Sequence, residues 1–218
     1  MREVAAPVGR LLDLSRRLET GMPVFPGDPP VELAPADAQL PWQVTRLHLG
    51  THSGTHIDAA SHYVPGGRTI DHYPLERFVL DAYVAHLDAG AEAAVSWEDI
   101  AAQLPGDVAA CAVLLHTGWD RHWGDGEMER HPWLAEDAAV HLAAAGVGLV
   151  GTDALNVDAT AGGTIHAHAA LLAADILVVE NLTGLGALAA GRPYRCAFVP
   201  LNVAAGDGSP IRAYAETE

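Results

Sequence analysis

The chain is poor in cationic charge, in cysteine and in long apolar runs, and each shortage removes a class of function. Only 12 Lys+Arg stand against 28 Asp+Glu, a formal charge of −16. Nucleic acid and anionic membrane surfaces both need clustered cations, so neither is the expected partner. Charged residues make up 18% of the chain and apolar ones 50%, which suits a folded core and not a disordered acidic tract. The two cysteines, Cys111 and Cys196, sit in apolar stretches and read as buried free thiols in a reducing compartment. Neither has the electropositive neighbours that make a thiolate nucleophile. No apolar run approaches the roughly 18 residues that span a bilayer. The opening Met-Arg-Glu-Val-Ala-Ala-Pro lacks the apolar centre of a secretory signal, so a cytoplasmic location is the expectation. The sequence also contains no Gly-Lys-Ser/Thr phosphate loop and no Gly-x-Ser-x-Gly nucleophile elbow.

What is present predicts one mixed α/β domain over residues 1–218, long enough to bury its own core. Breakers crowd the segment from Gly21 to Pro30, which reads as an ordered loop over the surface or over a pocket. Alternation predicts a strand over Gln43–Leu49, and Val79–Leu87 has strand character too. Ser96, with Asp99 three residues on, predicts a capped helix to about Leu104. The apolar run Ala110–His116, a helix over Trp133–Ala145 stopped by Gly146, and the run Val147–Thr152 together predict a parallel βαβ unit. A short helix near His168–Ala174, a strand over Asp175–Glu180 and a strand over Tyr194–Val203 complete the pattern.

Histidine is the compositional anomaly, at 12 residues. His72, His86, His116, His122, His131 and His141 read as ordinary surface or core imidazoles. The segment Leu49–Tyr63 is different, because His52, His56, Asp58 and His62 fall within eleven residues. The chain-wide frequency would place roughly 0.6 histidines in such a window. Three imidazoles and a carboxylate suit Zn²⁺, Mn²⁺ or a similar divalent ion. A straight strand would set His52 and Asp58 about 20 Å apart, so ligation requires a bend, which Gly50 and Gly54 permit, or a helical turn. Downstream, the His166-Ala-His168 pair precedes a helix, and Glu180 ends an apolar strand where an unpartnered acid is costly. Strand ends are where open α/β sheets place their sites.

These blocks resemble the cyclase and kynurenine formamidase-like metal hydrolases, whose hallmark is His-x-Gly-Thr-His-x-Asp-x-Pro-x-His. Here it stands as His52-Ser-Gly-Thr-His56-Ile-Asp58-Ala-Ala60-Ser-His62, with Ala60 in the proline position. Asp13-Leu-Ser-Arg-Arg-Leu18, Gly21–Pro29, Leu114–Trp119, Gly151–Asp158 and the run from His168 to Leu182 resemble the family's other blocks in order. The resemblance implies a swivelling β/β/α fold with a mixed sheet and one or two Zn²⁺ or Mn²⁺ ions per subunit. It implies His52, His56 and Asp58 as ligands of one ion, with Asp58, His168 and Glu180 holding or bridging to a second. His62 becomes the general acid/base and Phe25 a pocket-lining residue, where formamidases usually carry Trp. His168 fits better than His166, since it precedes the Leu-Leu pair and lies twelve residues before the glutamate. A homodimer or homotetramer acting on a small molecule is also implied. The segment Thr152-Asp-Ala-Leu-Asn-Val-Asp158 departs from the formamidase pattern and implies a subgroup distinct from the true kynurenine formamidases. The expected activity is metal-dependent hydrolysis of an amide, formamide, cyclic ester or lactam. The alternatives are a metal-dependent cyclase or dehydratase on a polyketide-like substrate, and a non-catalytic metal- or small-molecule-binding homologue.

Overall fold

The computed structural model describes residues 9–36 and 41–217. In chain order the strands are β1 (Arg10–Asp13), β2 (Glu32–Pro35), β3 (Thr45–His48), β4 (His56–Asp58), β5 (Val79–His86), β6 (Ala94–Val95), β7 (Ala112–His116), β8 (Trp133–Leu134) and β9 (Leu149–Thr152). They continue with β10 (Leu177–Glu180), β11 (Tyr194–Ala197), β12 (Gly208–Pro210) and β13 (Tyr214–Thr217). The helices are α1 (Trp97–Ala101), α2 (Glu136–Ala144) and α3 (His166–Ala173). Nine strands form one mixed sheet in the order β1-β13-β11-β5-β7-β9-β10-β4-β12. Its centre, β5-β7-β9-β10, is parallel, and antiparallel strands flank it on both sides. The chain is therefore α/β, as its apolar runs imply.

The central strands are buried on both faces, which is why they read as continuous apolar runs and not as alternating ones. Alternation instead sorts their side chains between two cores. Val113, Leu115, Val150 and Val178 face the three helices. Ala112, Leu114, Leu149 and Val179 face the opposite core, with Leu14, Phe78 and Phe198. Ser96 caps α1 through a reciprocal capping box with Asp99, and Gly146 in the left-handed region follows α2.

Three expectations are corrected in detail. Trp133 and Leu134 do not begin the helix. They form β8, parallel to β6, because their amides donate to Ala93 and Val157 before α2 opens at Glu136. The strand predicted over Gln43–Leu49 is shorter and lies outside the main sheet, paired with β2 in a two-stranded ribbon. The strand from Tyr194 stops at Ala197, since the Phe198 amide turns to the carbonyl of Phe78. Cys196 is buried, as expected, whereas Cys111 is partly exposed at the edge of its run.

Two features of this frame place the site. β4 lies antiparallel to β10 with His56 opposite Glu180, so both point to the helix-bearing face, together with Asp58 two residues on. α3 packs over β10 on that face and brings His168 above them.

Candidate active site

The turn leading into β4 is built around Gly54, whose φ of +66° favours glycine. A Cβ there would also meet Met22 Cε at 3.0 Å and Leu18 Cδ2 at 3.1 Å. The chain therefore doubles back before β4, and no single extended strand or helix carries the whole cluster. His52 sits in the turn, while His56 and Asp58 share one face of the strand.

Three donor groups result among the described residues: one is His52, His62 and Asp207, partly exposed, and the other two are buried more deeply and joined by the Asp58 carboxylate. His52, His56 and Asp58 form the first of the joined pair, and Asp58, His168 and Glu180 the second, with the ligating atoms of each within 4.8 Å of one another. His52 Nδ1 lies 2.7 Å from Asp58 Oδ1. Four further contacts are all 3.4 Å: His56 Nε2 to Asp58 Oδ1, His56 Nε2 to Glu180 Oε2, His168 Nε2 to Asp58 Oδ2, and His168 Nε2 to Glu180 Oε1. Donors in tetrahedral array about 2.1 Å from a shared ion lie about 3.4 Å apart. Asp58 Oδ2 is buried and has no hydrogen-bond partner, an expensive state for a carboxylate oxygen unless a cation faces it. The mixed imidazole and carboxylate set suits a first-row divalent ion better than Ca²⁺ or Mg²⁺, which favour all-oxygen shells. The donors thus fit a divalent metal.

The outer nitrogen of each imidazole is also held. His52 Nε2 is 3.1 Å from Asp207 Oδ2, His56 Nδ1 donates to the Gly54 carbonyl at 2.8 Å, and His168 Nδ1 is 2.8 Å from Asp158 Oδ2. Such partners fix the tautomer and orientation of metal-ligating histidines. Asp158 is fully buried and also accepts from the amides of Ala167 and His168, anchoring the start of α3. Neither Asp158 nor Asp207 stands out as a site residue in the sequence. Asp158 lies in a quoted block without a role, and Asp207 lies in a Gly-Asp-Gly turn like many others. Asp158→Asn keeps a capping oxygen but removes the charge from His168, so metal affinity is expected to fall about 10- to 100-fold. Zinc titration of metal-free protein checks this, with retained circular dichroism as the fold control.

Electrostatics follow from burial among opposite charges. Burial opposes the charged imidazole of His56, but Asp58 and Glu180 outweigh it and raise its pKa to about 10. Burial likewise opposes the Glu180 carboxylate, and His168 and His56 overcome it, lowering the pKa to about 2. Asp58 is held well below 3.8 and His168 well above 6.5 by the same pairing. These pairings make the stability of the metal-free protein depend on pH. The His56 contribution is fully present below about 6.5 and is lost as pH rises through about 10. The Glu180 contribution is fully present above about 4.5 and is lost as pH falls through about 2. These two groups therefore stabilise most between about pH 4.5 and 6.5. Metal binding runs the other way, tightening as pH rises and releasing protons from the histidines. Thermal unfolding of chelated protein across pH, beside zinc calorimetry in buffers of different ionisation heat, tests both signs.

A cavity of about 320 Å³ opens over the cluster, of the size that takes a small organic ligand. Its wall includes His62, Phe25, Tyr63, Leu155, Ile165 and Asn181. All seven residues singled out in the sequence come together: five in the two donor groups joined by Asp58, with His62 and Phe25 on the cavity. Asp28 of the Pro-rich loop joins Phe25 there, so that loop covers the chain's own pocket. His166 points elsewhere, against Trp133 with ring centroids 5.7 Å apart. His62 lies beside the cluster, its ring centroid 4.0 Å from that of His52 and 5.8 Å from that of His168. Burial, only partly offset by Asp58 and Glu180, lowers its pKa, which keeps it neutral at pH 7. Several of the remaining imidazoles are satisfied within the fold. His86 and His116 pair at 2.7 Å, and His131 meets the Thr160 hydroxyl at 2.8 Å.

A curled mixed sheet with a buried His/Asp/Glu cluster under a cavity of mixed polar and apolar lining fits a metal-dependent hydrolase of the cyclase-like fold. The sequence pattern of the family described as "Putative cyclase" matches residues 12–159. The chain belongs to that family. It is 35% identical over 212 residues to the kynurenine formamidase of Paracidovorax citrulli (strain AAC00-1), covering 95% of this chain and 96% of that protein. It is 36% identical over 218 residues to the kynurenine formamidase of Salinibacter ruber (strain DSM 13855 / M31), covering 93% and 95%. A solved structure titled as a potential metal-dependent hydrolase with cyclase activity superposes with a TM-score of 0.81 at 25% identity, over 96% of this chain and 98% of that one. The chain is a hydrolytic enzyme of this family. No helix among the described residues is long and apolar enough to cross a membrane.

Proposed function

We propose that the protein hydrolyses the C–N bond of an aryl formamide or a related small aromatic amide, using one or two Zn²⁺ or Mn²⁺ ions. The carrying observation is the sharing of Asp58 between two donor groups directly beneath a cavity that also exposes His62. His52, His56 and Asp58 would hold one ion, and Asp58, His168 and Glu180 a second. Bound there, a divalent ion supplies the Lewis acidity that makes water nucleophilic near neutral pH and polarises an amide carbonyl. Phe25, Tyr63, Leu155 and Ile165 offer an apolar wall for an aryl ring, while Asn156 and Asn181 offer polar contacts to the amide. Neutral His62 takes the proton from the attacking water as the C–O bond forms. It then returns that proton to the departing nitrogen as the C–N bond breaks. The products are a free amine and a carboxylic acid, which releases its proton to solvent to leave the carboxylate, formate in the formamide case.

The test is elemental analysis of protein purified without chelator, alongside hydrolysis of N-formylkynurenine and N-formylaniline. Stoichiometric Zn or Mn with release of formate and amine is expected. Metal-replete protein inert on formamides, lactams and lactones alike would sink the hydrolase reading.

A further inference from the structure

We propose that Asp207 is a positioning residue shared by the ligand His52 and the acid/base His62, an inference that rests on the metal-hydrolase reading above. One carboxylate oxygen serves both rings: Asp207 Oδ2 is 3.1 Å from His52 Nε2 and 3.5 Å from His62 Nδ1. The other oxygen, Oδ1, accepts from the Thr51 hydroxyl at 2.9 Å, which fixes the plane of the carboxylate. The backbone is fixed as well. The Asp207 carbonyl accepts from the Ala59 amide at 2.9 Å, and β12, which starts at the next residue, pairs with β4. Asp207 is thereby tied to the strand that carries His56 and Asp58, although 155 residues separate it from His52.

The consequence is a choice of which nitrogen keeps its proton. In the metal-free protein both His52 nitrogens face carboxylate oxygens, Nδ1 at 2.7 Å from Asp58 and Nε2 at 3.1 Å from Asp207, and both donate; a bound metal would take the place of the Nδ1 proton while Asp207 keeps the Nε2–H in place. His62 Nδ1 lies 3.5 Å from the same oxygen, a charge contact and not a hydrogen bond, so Asp207 favours the proton on Nδ1 and leaves Nε2 as the basic nitrogen. Gly208 completes the clamp. A Cβ at that position would lie 2.8 Å from His52 Cε1 and 2.7 Å from the Ile57 carbonyl, so the His52 ring rests directly against the glycine backbone. The turn Asp207-Gly208 therefore holds His52 by a hydrogen bond at its edge and by contact at its carbon side.

The experiment compares wild type with Asp207→Asn, Asp207→Ala and Thr51→Val. The backbone bond from Ala59 survives all three, so the fold is expected to persist, checked by unfolding midpoint. Zinc affinity of the chelated protein is expected to fall about 10-fold in Asp207→Asn and further in Asp207→Ala. Thr51→Val should give a smaller loss in the same direction. Ring ¹⁵N shifts of zinc-loaded protein should show His52 ligating through Nδ1 with Nε2 protonated in wild type, and a mixture of the two nitrogens in Asp207→Ala. On metal-saturated protein, kcat should drop while KM stays within about twofold, since Asp207 does not line the substrate cavity. Unchanged zinc affinity and an unchanged His52 tautomer in Asp207→Ala would overturn the proposal. The wild-type zinc titration separates the two readings. A wild type that binds no zinc refutes the metal-hydrolase reading, whereas one that binds it as tightly as Asp207→Ala does refutes only the role of Asp207.

Discussion

Asp58→Ala is expected to lose both metal equivalents, not one. Asp58 gives Oδ1 to the group with His52 and His56 and Oδ2 to the group with His168 and Glu180. Glu180 also faces both groups, with Oε2 3.4 Å from His56 Nε2 and Oε1 3.4 Å from His168 Nε2, but of these two groups only Asp58 is a member of both. His168→Ala should remove metal from the second group alone, and His52→Ala from the first. Elemental analysis of the three variants therefore separates a shared carboxylate from two independent sites. The metal-free Asp58→Ala protein should also change in stability, because three imidazoles lose the carboxylate facing them. Breaking a buried ion pair by deleting one partner typically costs about 3–5 kcal/mol. Partial neutralisation of the histidines will reduce that cost, and more so as pH rises. Asp58→Asn keeps the volume and one acceptor oxygen and should be the milder variant in stability while remaining severe in metal content. Near-stoichiometric metal in Asp58→Ala would mean that the ligands are assigned wrongly.

How far the chain announces this site depends on which physical signal each residue leaves. The strands β7, β9 and β10 are legible because burial on both faces leaves unbroken apolar runs. β4 is only three residues, two of them polar and ionisable, and no local pattern marks it as a strand. It exists because β10 and β12 pair with it on either side. The misread start of α2 has a related cause. Trp133 and Leu134 carry helix-compatible side chains, but their amides are claimed by Ala93 and Val157, partners distant in sequence. Within the site, His52, His56, Asp58 and His62 are legible from density alone, since four metal-competent residues in eleven are improbable by composition. His168 and Glu180 leave weaker local traces, and it is family resemblance that distinguishes His168 from His166. The physical reason lies in register, which sets Glu180 opposite His56, and in α3, whose start is anchored by Asp158 so that position 168 and not 166 faces the sheet. Asp158 and Asp207 act through histidines, and a carboxylate in a second rank leaves no spacing rule in one sequence.

The second large effect belongs to His62, whose removal is expected to separate metal binding from turnover. His62→Ala should retain wild-type metal content, because the two donor groups that share Asp58 are complete without it. Its kcat should nevertheless fall about 10²- to 10⁴-fold, the range usual for a lost general acid/base. The imidazole is suited to the task by its surroundings. Burial disfavours its charged form, with His52 and His168 adding repulsion, so it stands neutral and ready to accept a proton at pH 7. About a third of the side chain remains accessible, at 31%, which gives the reacting water and the leaving nitrogen access to the ring. In wild type the acidic limb of the kcat/KM profile should therefore fall below pH 6.5, the ordinary histidine value, and it should flatten in the variant. Truncation to alanine also leaves a ring-sized space against His52 and Tyr63. Added imidazole should enter it and restore part of the rate in His62→Ala but not in Asp58→Ala, which lacks the metal. A merely structural His62 would show neither the flattened limb nor the rescue, and a variant with full metal and a near-normal rate would transfer the proton step to another residue.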